Sequence, residues 1–144
     1  MFLAKPGVGD YDLSVKPIDM VDALAQAHDI GEDFVNYKGY NHPDYTANDI
    51  RFVRGLEAYY EKALYDDNYK DPFTGRKPSK EAIEAASNAI NLFTWKISGK
   101  KSRANELLKK GEYTQEQYSN WQKEVQKAAT EKIILPLPNS SNNK

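Results

Sequence analysis

Apolar residues recur at three- and four-residue steps in one stretch of this chain after another, and no run alternates strongly enough to be a sheet strand. That periodicity predicts an all-α fold. Pro17 suits a first helical turn, and Ile18 to Val35 winds so that Val21, Ala25, His28, Glu32 and Val35 share a face, broadened by Met20, Leu24, Ala27 and Phe34. Gly39, Asn41 and Pro43 interrupt the pattern, and a second helix is predicted from Thr46 or Ala47, with Phe52, Val53, Leu56, Tyr60 and Leu64 as its stripe. Asp71-Pro72 and Thr74-Gly75 mark Asp66 to Pro78 as loop. A third helix should follow from Ser79 to about Ile97, its core side holding Ala82, Ala86, Ile90 and Phe93. Gly99 is expected to end it, leaving Ser102 to Lys110 as a short helix closed by Gly111. Thr114 and Gln117 then spell a capping box before a last helix to about Lys132, with Tyr118, Trp121, Val125 and Ala128 inward.

A length of 144 residues with 40% hydrophobic content suffices for one modest core, so residues 1–135 read as a single domain and the polar stretch 136–144 as a disordered tail. Lys5 to Lys16, with Pro6, Gly7, Gly9 and Asp10, reads as an irregular loop. Twenty basic against 21 acidic residues provide no positive field, which argues against nucleic acid as a partner. Without cysteine there is neither a disulfide framework nor a thiolate metal site. The opening Met1 to Gly7 lacks a basic stretch followed by a sustained apolar core and does not read as a signal peptide. No apolar run approaches the ~20 residues of a membrane-spanning helix.

Three polar residues break stripes that should be apolar. His28 and Glu32 fall on the Val21/Ala25/Val35 face, and Asp49 stands three and four residues ahead of Phe52 and Val53. If the two helices pack antiparallel across the Tyr37–Tyr45 connection, His28 and Asp49 can face each other. A buried histidine beside a carboxylate is held in one tautomer, with its other nitrogen able to take a proton from water, which is a hydrolytic base. Asp29, about 100° further round the helix, points elsewhere and can look towards Gly7 and Gly9. Carbonyls of a tight loop with one carboxylate form a hard oxygen site suited to calcium. The plainer reading is a hydrogen-bonded core histidine with a solvated aspartate beside it. Asp19 and Asp22 read as complements to the helix dipole, Trp95, Trp121 and the tyrosines as core and rim, and Lys100-Lys101-Ser102-Arg103 as a solvated basic turn.

Pro17-x-Asp19-x-x-Asp22, followed after five residues by His28-Asp29, resembles the approach to the His-Asp pair of the phospholipase A2 superfamily. Lys5-Pro6-Gly7-Val8-Gly9 is similar to that superfamily's calcium loop, and Ala47-Asn48-Asp49-Ile50-Arg51-Phe52 to a stretch of its cysteine-free parvoviral and bacterial toxin-like branch. The resemblance spans Lys5 to about Leu64. It implies two antiparallel core helices behind an N-terminal calcium loop. His28 would activate water, Asp49 would orient His28, and Asp29 would bind Ca2+ with the carbonyls of Lys5, Gly7 and Gly9. It further implies a phospholipid membrane surface as substrate, delivery as the toxin domain of a bacterial effector through a specialised secretion system, and an immunity protein as partner. Where the family commonly carries tyrosine four residues after the histidine, this chain has Glu32. Either Glu32 is protonated, or it points elsewhere, or Tyr59 or Tyr60 donates the missing hydrogen bond. Glu32 is also the best argument for the alternative, a non-catalytic lipid- or protein-binding module on the same helical scaffold.

Overall fold

Four α-helices carry the described residues of this computed structural model, which are 15–32, 37–39 and 41–138. They are α1 (Met20–Ile30), α2 (Thr46–Tyr65), α3 (Lys80–Lys109) and α4 (Gln115–Thr130), with a 3-10 turn over Pro43–Tyr45 leading into α2. No strand occurs among the described residues, so the all-α expectation holds. No described helix is long and apolar enough to cross a membrane.

The start of α1 is set by Asp19, whose carboxylate accepts from the Asp22 amide at 2.8 Å and satisfies one of the donors that open a helix. The helix therefore begins at Met20 rather than at Pro17 or Ile18. A second carboxylate reaches the same end from far along the chain, where Asp71 accepts from the Met20 amide at 2.9 Å and ties the 66–79 loop to α1. Gly31 closes the helix earlier than the apolar pattern suggests, its amide donating back to Ala27. Phe34, Val35 and the calcium-loop residues Lys5, Gly7 and Gly9 lie outside the described residues. Ala27, assigned to the core by periodicity, is exposed.

Met20, Val21, Leu24 and Ala25 of α1 pack with Phe52, Val53, Leu56 and Tyr59 of α2 and with Ala82, Ala86, Ala89 and Phe93 of α3. Tyr59 and Ala63 take the inward places expected of Tyr60 and Leu64, and Leu64 is exposed. A Cβ at Gly55 would stand 2.8 Å from a methyl of Leu24, so glycine is what lets α1 lie this close to α2.

The third helix corrects the sequence reading most. It runs unbroken for 30 residues through Gly99, where two helices were expected. Glycine in a helix interior costs only about 1 kcal/mol. The buried series Phe93, Lys100, Ala104 and Leu107 continues across it on one face. The fourth helix opens with the expected capping box, Thr114 and Gln117 each accepting from the other's backbone. It seats Ala128 against Ala47 and Ile50, while Trp121 and Val125 are half-buried. Arg54 donates to the carbonyls of Ala128 and Glu131 at 2.8 and 2.6 Å, and Arg51 pairs with the Glu131 carboxylate at 2.7 Å. Cations from α2 thus cover the negative end of α4.

Candidate functional site

Three helices converge on a cluster of five charged side chains inside this core. From α1 come His28 and Asp29, with Glu32 just past its end; α2 contributes Asp49, and α3 contributes Lys100. None is more than 6% exposed. Burial of this kind is expensive unless each charge meets an opposite one and its hydrogen bonds are made.

His28 Nε2 lies 2.7 Å from Asp49 Oδ1, a length that makes it a hydrogen bond between ring N–H and carboxylate. The other carboxylate oxygen of Asp49 accepts from the Lys100 ammonium. Among the described residues, these two are the donors to the Asp49 side chain. Glu32 Oε2 stands 3.8 Å from His28 Nε2, and Asp29 Oδ1 stands 3.8 Å from Nδ1 on the opposite side of the ring. Phe52 and Phe93 clasp the imidazole at centroid distances of 4.7 and 5.0 Å. Phe93 also packs edge-on against Phe52 at 5.0 Å, so the ring is held on two sides by residues that fix each other.

Asn48 bridges the end of α1 to Glu32. Its amide group donates to the His28 carbonyl and to Glu32 Oε2, each at 2.8 Å. A side chain at Gly31 would run into Asn48, which explains glycine at this position better than any backbone demand. The contacts Gly31 to Asn48, His28 to Asp49 and Phe52, and Leu24 to Gly55 run in opposite chain directions along the two helices.

The electrostatics follow from this geometry. Burial works against a charged His28, but the carboxylates of Asp29, Asp49 and Glu32 outweigh it and push the imidazole up to about 9. Glu32 is raised, chiefly by burial and further by Asp49, with His28 and Asn48 pulling the other way. His28, Glu32 and Asp49 bring ligand atoms within 4.8 Å of one another, a spacing that could hold a metal ion. The Lys100 ammonium already supplies positive charge to one of the three. Asp29 Oδ2, a buried atom of the cluster, has no hydrogen-bond partner among the described residues.

The structure brings His28, Asp29 and Asp49 together, with Glu32 beside them. Glu32 does not turn away: it faces His28 and accepts from Asn48. The Tyr59 hydroxyl is buried without a hydrogen-bond partner among the described residues and does not reach Asp49. Asn48 serves Glu32, and Lys100 serves Asp49. Lys100 was therefore misread as part of a solvated turn; its signal was its place in the Phe93, Lys100, Ala104, Leu107 series, hidden by treating Gly99 as a helix stop. An open cleft of about 330 Å³ beside the start of α2, lined by Pro43, Asp44, Tyr113 and Trp121, includes none of the cluster. No family model matches the chain, and no curated protein or solved structure matches it either.

Proposed function

We propose that this chain is a calcium-dependent, phospholipase A2-like hydrolase of phospholipid acyl esters, with His28 as the base, Asp49 as its orienting partner and Asp29 as a metal ligand. The observation that carries this reading is the buried 2.7 Å bond from His28 Nε2 to Asp49. It assigns the proton of a neutral ring to Nε2 and leaves the lone pair at Nδ1, the nitrogen on the Asp29 side. Asp29 Oδ2, without a donor among the described residues, suits a hard cation, since a buried carboxylate oxygen without a donor is otherwise costly. The family resemblance would add the carbonyls of Lys5, Gly7 and Gly9 to the ligand set. Calcium held there would supply positive charge to the substrate phosphate and ester oxygen, and would offset the charge of the Asp29 carboxylate beside His28.

The residues of the chain then divide the proton work. His28 Nδ1 takes a proton from water as its oxygen attacks the ester carbonyl carbon. Asp49 keeps the ring in place and stabilises the imidazolium that forms. The same proton passes to the departing alkoxide, so the products are a fatty acid and a lysophospholipid. The family resemblance alone extends this to the toxin domain of a bacterial effector, acting at a phospholipid membrane surface, delivered by a specialised secretion system and countered by an immunity protein.

Burial favours a second reading, the non-catalytic lipid- or protein-binding module. A histidine that holds its proton up to about 9 is a cation at neutral pH, and an enclosed cation among carboxylates is first a structural device. Hydrolysis of mixed phospholipid vesicles with and without calcium, by the parent and by His28→Ala, decides between the two. Fatty acid release that requires both calcium and His28 supports the hydrolase. Vesicle binding without release under either condition supports the module.

A further inference from the structure

Lys100 is the cationic side chain of α3 in the cluster, and the hydrolase reading gives it no role. A lysine that is 3% exposed has lost nearly all its hydration, and a fully buried Asp49 has lost all of its own. Pairs of this kind stabilise a fold no better than apolar residues of similar volume, so stability alone is a weak reason for an ammonium here. The geometry supplies a stronger one. Asp49 has two oxygens and two donors: His28 takes one oxygen, and Lys100 takes the other. A carboxylate anchored at a single oxygen can swing about its Cβ–Cγ bond, whereas one anchored at both cannot. Glu32, a second carboxylate within 3.8 Å of the same ring nitrogen, makes that swing matter, because repulsion would drive Asp49 off the imidazole.

The position of Lys100 is itself well determined. It follows Phe93 by seven residues, two helical turns or about 10 Å along α3. Phe93 is locked against both His28 and Phe52, and Ala104 and Leu107 continue the buried face beyond it. The side chain that clamps the ring and the side chain that clamps its carboxylate therefore come from one rigid rod.

We propose that Lys100 is the positioning residue of this site: its ammonium pins the far oxygen of Asp49 and so keeps the near oxygen on His28 Nε2. The kinetic consequence rests on the hydrolase reading above, and the spectroscopic consequence rests on the hydrogen bonds alone. Lys100→Ala opens a hole the size of the lost side chain, which ethylammonium can fill. Lys100→Met keeps the stem and removes the charge. Exposed Lys101→Ala is the control.

On calcium-loaded phosphatidylcholine–phosphatidylglycerol vesicles, Lys100→Ala and Lys100→Met should lose about 10–100-fold in kcat with KM nearly unchanged, the scale expected when an outer partner of a site residue is removed. Ethylammonium should restore Lys100→Ala and leave Lys100→Met as it was. In parallel, the His28 Nε2–H proton, assigned with His42→Gln as reference, should give a sharp downfield ring signal in the parent. That signal should vanish in both Lys100 variants and return in Lys100→Ala with ethylammonium. Folded Lys100 variants that retain full kcat, or that keep the Nε2–H signal, overturn the inference and leave the hydrolase reading standing. A parent that hydrolyses nothing removes the hydrolase reading, while the ring signal still decides whether Lys100 positions Asp49. If Lys100→Ala fails to fold, Lys100→Met and the Nε2–H signal carry the same decision.

Discussion

Charging His28 requires taking an imidazolium out of water and enclosing it between two phenylalanines, yet the three surrounding carboxylates reverse that penalty. Its proton affinity is higher folded than unfolded, so its contribution to stability is complete below the ordinary histidine value of 6.5 and is lost as pH rises through about 9. Calcium-free protein should therefore lose on the order of 3 kcal/mol across that window, read as a falling Tm, whereas His28→Gln should lack this limb. A flat profile for the parent would mean the carboxylates do not hold the proton. Asp49→Asn strands a buried ammonium and should cost roughly 3–5 kcal/mol in urea denaturation. The double variant Asp49→Asn with Lys100→Met should recover much of it, because the two residues act as one unit. Four of the five charged residues, His28, Asp29, Glu32 and Asp49, were legible in the sequence because each broke or adjoined an apolar stripe. Asn48 was not singled out, since its value lies in partners 16 and 20 residues away. Those distances close only in the folded chain.

Among the elements, α3 separates what periodicity can say from what it cannot. Stripe spacing located all four helices, and the Thr114–Gln117 pair fixed the start of α4 to the residue. Ends were harder, because α1 begins where Asp19 and Asp71 satisfy its amides and stops where Gly31 admits Asn48. The loop residue Asp71 is invisible as a capping partner in one dimension. Gly99 misled for a different reason: glycine ends helices by adopting a left-handed conformation, as Gly111 does at φ 77°, but Gly99 keeps the helical one. A Cβ at Gly99 would meet nothing within 4 Å. Gly99→Ala should therefore stabilise the protein by up to about 1 kcal/mol, read as a raised urea midpoint. Destabilisation instead would show that α3 is not continuous through this point. The contrasting substitution is Gly31→Ala, which must displace Asn48 from His28 and Glu32 and should destabilise by roughly 1–3 kcal/mol.

At the scale of the whole molecule, folding and the proposed metal binding are linked. A cation that binds only the folded chain raises its stability by mass action, about 2.7 kcal/mol at a hundredfold excess over Kd. Calcium should thus raise the Tm of the parent and have little effect on Asp29→Asn; an equal shift in both would move the metal elsewhere. The charge cluster also has an unusual relation to the order of the chain. His28, Asp29, Glu32 and Asp49 all precede the loop that joins α2 to α3, while Phe93 and Lys100 follow it. Lys77 in that loop is exposed, and the Asp71 turn that pins Met20 is complete by Arg76. A cut after Lys77 would send the carboxylates and the imidazole into one polypeptide and their ammonium into another. Each piece would lack half of a shared core, and neither could assemble the cluster alone. Expressed together, the two fragments should find each other, turning a single buried contact between Asp49 and Lys100 into a reporter of encounter between separate chains.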